Sequence, residues 1–228
     1  MEGEKTRYGF LNVVPLALAE WAIFTCVFAV AGAWPAPDVN EGYYLAKARH
    51  SVNPEWCEND FFLNSEDAHG LFFLILGPFA ASAKLSTAAW VGRWAGWLAL
   101  AVGFRHAVMQ LFPSFLHRLF AITMFSLAAR YTTMAGEWMI GGCEAKVFAW
   151  ALVLGAWGEG VRGRWAYAWL LSGAATAFHP LVGGWMMISI AFVALIQSMK
   201  RRDQIDWLNL CALACVIAGL AVALYGVW

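Results

Sequence analysis

Apolar blocks alternate with polar linkers along the whole chain, roughly over residues 10–34, 71–83, 88–104, 116–131, 147–158, 165–178, 181–199 and 207–228. A helix needs about 20 predominantly apolar residues to cross a bilayer. The block at 71–83 is the weakest candidate. It is short, contains Gly77-Pro78 and follows an acidic stretch. With this block lying in the interface or re-entering, Lys5 and Arg7, Arg105 and Arg118, Arg162 and Arg164, and Lys200-Arg201-Arg202 all fall on one side. That agrees with the positive-inside rule. The pattern therefore predicts an all-α, polytopic transmembrane helical bundle of about seven spans, with the N-terminus inside. Juxtamembrane helices are expected in a first outer loop over 34–92. Two further outer regions are expected at 131–146 and 179–184.

Composition supports a membrane setting. Hydrophobic residues make up 61% of the 228 and charged residues 13%, about half the charged share of a soluble domain. No segment has the short apolar core and small-residue cleavage site of a signal peptide, so the first block reads as a start-transfer helix that stays. Many of the fourteen tryptophans, Trp34, Trp56, Trp90, Trp138, Trp165 and Trp207 among them, fall near predicted span ends, where an aromatic belt accounts for them. The last block stops without a polar tail. The chain is therefore read as a single transmembrane domain over 1–228, the N-terminal part of a longer protein.

Charge is balanced in number, 15 against 15, but not in position. Between Trp34 and His69 lie seven acids and only two bases, Lys47 and Arg49. No basic stripe suggests nucleic acid. The five cysteines have no metal-type pairing; Cys57 and Cys143 share the outer side, which leaves a disulfide open in an oxidising compartment.

The outer regions carry the candidate chemistry. In Asp38-Val39-Asn40-Glu41, Asp38 reads as a helix N-cap with Glu41 reaching back to it, followed by an apolar stripe of Tyr44, Leu45 and Ala48. The same two carboxylates could hold an acceptor hydroxyl, one of them as general base, or bind a divalent cation. Spacing does not separate these readings. Glu137, Glu144 and Lys146 form a second group, in a solvated loop or at the first turn of the next helix. Arg93 is the expected counter-charge of Glu144, or else an arginine snorkelling to the interface. His179, beside Pro180, ends a helix rich in small residues. Glu20 and Glu159 lie within apolar blocks, where carboxylates need a partner or a purpose. They keep open a transporter, and the acidic loop keeps open a structural membrane subunit.

Taken in order, these motifs resemble the N-terminal part of GT-C fold membrane glycosyltransferases, of the protein O-mannosyltransferase and aminoarabinose-transferase type. Asp38, Glu41 and Tyr44 resemble the acidic pair and helix of the family's first outer loop, although here the pair is split. The stretch "LSTAAWVGRWAGWLAL" with Arg93 is similar to a motif at the start of a span. "AARYTTMAGEWMIGGCEAK" looks like a later outer motif with Glu144 as its acid, and "TAFHPLVGG" places His179 near the family's basic residue, a Lys in the family's pattern. The resemblance covers roughly 14–199. It implies sugar transfer from a polyprenyl-phosphate donor to an outer-face acceptor at a bacterial cytoplasmic membrane. Asp38 would be the base and Glu41 would position it. Glu137, Glu144 and Lys146 would help hold the acceptor, with Asp38 and Glu144 as the ligands of any divalent metal. Arg93 and His179 would meet the lipid phosphate.

Overall fold

The computed structural model describes residues 2–131, 139–200, 214 and 217–221, and every regular element among them is an α-helix. These are α1 (Glu2–Gly32), α2 (Glu41–Val52), α3 (Gly70–Ser82), α4 (Leu85–Val108), α5 (Phe115–Tyr131), α6 (Ala145–Val161), α7 (Trp165–Phe178) and α8 (Pro180–Lys200). Seven of the apolar blocks thus fold as helices, and 71–83 is α3. The block at 207–228 lies largely outside the described residues. The short helix expected from Tyr44, Leu45 and Ala48 is α2, which buries all three.

α4 is the centre of the bundle, flanked by α1 and α6; α7 packs on α6 and α8 on α7. α2 and α3 pack on each other as a pair set against α4 and α7. The α4–α6 contact depends on small residues. A Cβ on Gly103 would collide with the Ala151 carbonyl of α6, and one on Gly96 would come within 2.9 Å of Val147. Around α1, α4 and α5 the core is aromatic: Phe24 and Phe28 meet Phe104 edge to face at 6.1 and 6.2 Å.

The outward faces are apolar as well as the core. Val91, Trp94, Leu98 and Val102 form an exposed stripe on α4, Leu116, Phe120, Met124 and Leu127 on α5, and Trp185, Ile188, Phe192 and Leu195 on α8. The inward face of α4 carries Trp97, Leu100 and Phe104 together with the small residues Gly92, Gly96 and Gly103, and Arg93. A soluble amphipathic helix has charged and polar residues on its outward face instead. Among the described residues only α1, through Pro15–Gly32, is long and apolar enough to cross a membrane; α3 and Pro180–Val193 of α8 are apolar but shorter. The 14 residues of α7 extend only about 21 Å.

Polar groups collect at the two ends of the bundle. At one end, Glu20 binds Arg105 Nε at 2.5 Å and also Arg118, which donates to the Phe112 and Pro113 carbonyls. There too Glu159 meets His106 Nε2 at 2.5 Å and Arg164 at 3.7 Å. Glu20 and Glu159 therefore sit at the same basic end, Glu20 between two arginines and Glu159 against His106 and Arg164. The twelve-residue step along α4 from Arg105 back to Arg93, about 18 Å, leads to the acidic end.

Candidate functional site at the acidic end

The organising contact at the acidic end joins Glu41, the first residue of α2, to Arg93 of α4. Arg93 Nε donates to Glu41 Oε1 at 2.8 Å and Nη2 to Oε2 at 2.6 Å, while Nη1 reaches the Trp34 carbonyl at 2.5 Å. Glu41 also accepts the Cys143 N–H on Oε1 at 2.7 Å and the Asp38 N–H on Oε2 at 3.0 Å. Both side chains are buried, and the Trp90 ring lies 4.7 Å from the guanidinium carbon. Burial alone would raise the Glu41 pKa. The Arg93 hydrogen bond, the two backbone N–H donors and the Arg93 charge outweigh it and hold the carboxyl below its ordinary value. The clamp ties the end of α1, the start of α2, α4 and the segment before α6 together. Gly142 completes it, since a Cβ there would lie 3.1 Å from both Asp38 Cβ and Glu41 Cδ.

This geometry revises five expectations. Arg93 pairs with Glu41, not Glu144; Glu144 instead lies 2.9 Å from Lys146. With its nitrogens committed to Glu41 and Trp34, Arg93 is a structural clamp and not a phosphate-facing cation. With four donors on its two oxygens, Glu41 positions backbone and not an acceptor. Only half of the predicted capping box forms. Glu41 reaches back to the Asp38 N–H, but Asn40 is the N-cap, and the Asp38 carboxylate accepts from the adjacent Val39 N–H at 2.8 Å. The reason is the turn closed by Glu41 N–H on the Asp38 carbonyl, 3.0 Å, which delays the start of the helix. The possible bridge is also absent: Cys57 is exposed, Cys143 is buried, and both are free. Burial, then the Glu41 and Glu144 charges, push the Cys143 thiol far up.

Asp38 remains half-buried at the rim of this layer, with its second carboxylate oxygen uncommitted among the described residues. Glu144, the N-cap of α6, and Lys146 in its first turn form a buried ion pair. Glu137 lies outside the described residues. Among the described residues no group of three or more His, Cys, Asp or Glu side chains is placed to hold a metal, and Asp38 with Glu144 makes no such group.

His179 links α7 to α8. It caps α7 through its N–H on the Ala175 carbonyl and starts α8, where Pro180 takes the first helical position, as proline favours. Its Nδ1 accepts the Val182 N–H at 3.4 Å. Packed against it, with ring centroids 4.9 Å apart, is His69, the N-cap of α3. The His69 Nδ1 is bonded to Asp67, and its Nε2 faces the Tyr44 hydroxyl at 3.4 Å. Asp67 also stands 3.8 Å from Lys47, which donates to Ser65 at 3.0 Å. Burial lowers the Lys47 pKa, and Glu66 opposes it. Sequence reasoning singled out His179 but missed Asp67 and His69. The local signal was an aspartate two residues before a histidine at the start of an apolar helix; their partner lies 110 positions away from His69 along the chain.

Two cavities flank the site. One, of about 810 Å³, is bordered by Lys47, His50, Asn64, Ser65, Asp67 and Phe73. The other, about 760 Å³, is an apolar groove between α4, α6 and α7, running from Phe148 and Phe178 to His106, Glu159 and Arg164. Phe148 and Phe178 stack at 5.7 Å, and Phe148 meets Phe72 at 6.1 Å. The groove thus begins beneath the residues that surround the two histidines. No protein-family model, curated protein or solved structure matches the chain.

Proposed function

We propose that this protein is a multi-pass membrane glycosyltransferase of GT-C type, which moves a sugar from a polyprenyl-phosphate donor to an acceptor at its acidic, outer end. The observation that carries the reading is the placement at one end of the bundle of a half-exposed carboxylate, Asp38, a buried Glu144–Lys146 pair and His179, with an apolar groove starting at Phe148 and Phe178. Such a transfer needs a base on the acceptor hydroxyl and fixed positive charge where the phosphate departs. Asp38 is the base, and the Glu41–Arg93 clamp fixes the backbone that presents it. The exposed apolar stripes on α4, α5 and α8 support immersion of more than α1, because patches of that extent mark a lipid or protein contact.

The test uses protein in nanodiscs supplied with the polyprenyl-linked sugars extracted from its native membrane. Mass spectrometry follows release of polyprenyl phosphate. Wild-type protein is expected to release it, and Asp38→Asn to slow release about 10²- to 10⁴-fold, the usual worth of a general base, with no loss of fold. Full-rate release by Asp38→Asn would remove Asp38 as base; no release by wild type would remove the transferase reading.

A further inference from the structure

The groove between α4, α6 and α7 ends in a charged group that the transferase reading leaves unused. Val102, Ala151, Leu152, Leu170 and Leu171 lie along its apolar wall, and His106, Glu159 and Arg164 close its basic end. Glu159 is 6% exposed. Its Oε1 meets His106 Nε2, whereas its Oε2 is buried and accepts no hydrogen bond among the described residues. Arg164 Nη1 stands off from Oε2 at 3.7 Å, beyond hydrogen-bond reach. A buried carboxylate oxygen without a donor is costly. The cost is greater in the last turn of α6, where Glu159 lies, because the helix dipole there favours cations. Arg162, the other base at this corner, gives its hydrogen bonds to the Gly158 and His106 carbonyls. The Arg164 guanidinium is exposed and makes no hydrogen bond among the described residues. The corner therefore presents a buried acceptor that lacks a donor beside a guanidinium that lacks an acceptor.

We propose that this corner binds an ethanolamine phospholipid, with the lipid ammonium on Glu159 Oε2, its phosphate on Arg164 and an acyl chain in the groove. The inference goes beyond the transferase reading and needs only the immersion of α4, α6 and α7 in lipid. The groove, about 760 Å³ and apolar, has the size and lining of a ligand site, roughly 300–1,000 Å³. Charge complementarity selects the headgroup. A carboxylate oxygen and a guanidinium side by side match a zwitterion that carries an ammonium and a phosphate. Anionic lipids suit pockets lined by bases alone; here they would meet the Glu159 charge and leave Oε2 without a donor. A choline headgroup has the right charges, but its quaternary nitrogen has no N–H to give. The positive-inside rule puts this end on the inner side. The lipid is therefore one of the inner leaflet, with its headgroup at the end of the bundle opposite Asp38.

The test titrates the delipidated full chain in detergent with dioleoyl lipids that differ only in headgroup, and native mass spectrometry counts the bound molecules. Wild type is expected to bind phosphatidylethanolamine about 10- to 100-fold more tightly than phosphatidylcholine, the effect of one hydrogen bond to a charged group. Phosphatidylglycerol should also bind more weakly than phosphatidylethanolamine. Glycerophosphoethanolamine, which has the headgroup but no chains, should not compete. These comparisons use the wild-type protein alone, so they stand whatever the variants do. Glu159→Gln should lower the affinity for phosphatidylethanolamine and raise that for phosphatidylglycerol, because the carboxylate that attracts one and repels the other is gone. Arg164→Ala should weaken phosphatidylethanolamine and phosphatidylglycerol alike. Equal binding of the three lipids by wild type would mean that water serves Glu159 Oε2, and would overturn the inference. Tighter binding of phosphatidylglycerol than of phosphatidylethanolamine would overturn it in favour of a basic patch. Full competition by glycerophosphoethanolamine would remove the groove from the site. Unchanged preferences in folded Glu159→Gln and Arg164→Ala would place any selective lipid elsewhere and overturn the assignment. Each of these results leaves the transferase reading standing, since that reading rests on the opposite end.

Discussion

Glu41→Gln is the sharpest perturbation of the acidic end. It keeps the shape of the side chain and removes its charge, leaving the Arg93 guanidinium buried beside a neutral amide. Arg93 is 1% exposed and Glu41 fully buried, so water does little to screen the loss. Removing one partner of a buried, hydrogen-bonded ion pair costs about 3–5 kcal/mol. The Cys143 and Asp38 N–H groups keep at most one carbonyl acceptor between them. For a chain of this size each kcal/mol lowers Tm by about 2–4 °C, so a fall on the order of 10 °C is expected by thermal unfolding in detergent. Glu41→Leu combined with Arg93→Leu should recover part of it, since no lone charge remains buried, although the Cys143 and Asp38 N–H groups then lose their acceptors. The acid limb gives an independent check. The folded-state pKa of Glu41 is depressed below its ordinary 4.5, so its stabilisation is complete above that value and lost as pH falls through the folded pKa. Wild type should lose this increment in acid, and Glu41→Gln should lack that loss. A Glu41→Gln protein that melts within about 2 °C of wild type, less than the shift of one kcal/mol, would refute the clamp.

Other consequences can be checked more quickly. Gly142→Ala should destabilise by about 1–3 kcal/mol, measured by the same melts, because its Cβ would press on Asp38 and Glu41. Cys57 should react with a maleimide within minutes at pH 8, while Cys143, buried and held as the protonated thiol, should react only on unfolding, as read by intact mass. Glu20→Gln should lower Tm by several degrees through Arg105 and Arg118 at the basic end.

How much of this was legible in the sequence depends on the range of each interaction. Apolar blocks mark helices because helix hydrogen bonds are local, and so α3 to α7 appear close to where the pattern put them. Charge parity placed Arg93, Glu144 and His179 at one end because that argument needs only the direction of each helix. It could not choose partners. Arg93 was matched to Glu144, yet Glu41, 52 positions upstream, takes it in the structure. Glu144 is served by Lys146, two residues on, which the extended backbone of the N-cap lets it reach. The capping box at Asp38 was half right because a local turn competed with the cap. His69 carried no pattern beyond Asp67, and its meaning comes from a contact with His179 that only the tertiary fold creates.

The most direct measurement is photo-crosslinking with a polyprenyl phosphate that carries a diazirine near its phosphate, followed by peptide mapping on protein in nanodiscs. The account predicts saturable labelling confined to the acidic end, on the segments around His69, Phe148 and His179, displaced by unlabelled polyprenyl phosphate. Labelling centred on His106 and Arg164, or spread without saturation over the exposed faces of α4, α5 and α8, would contradict it.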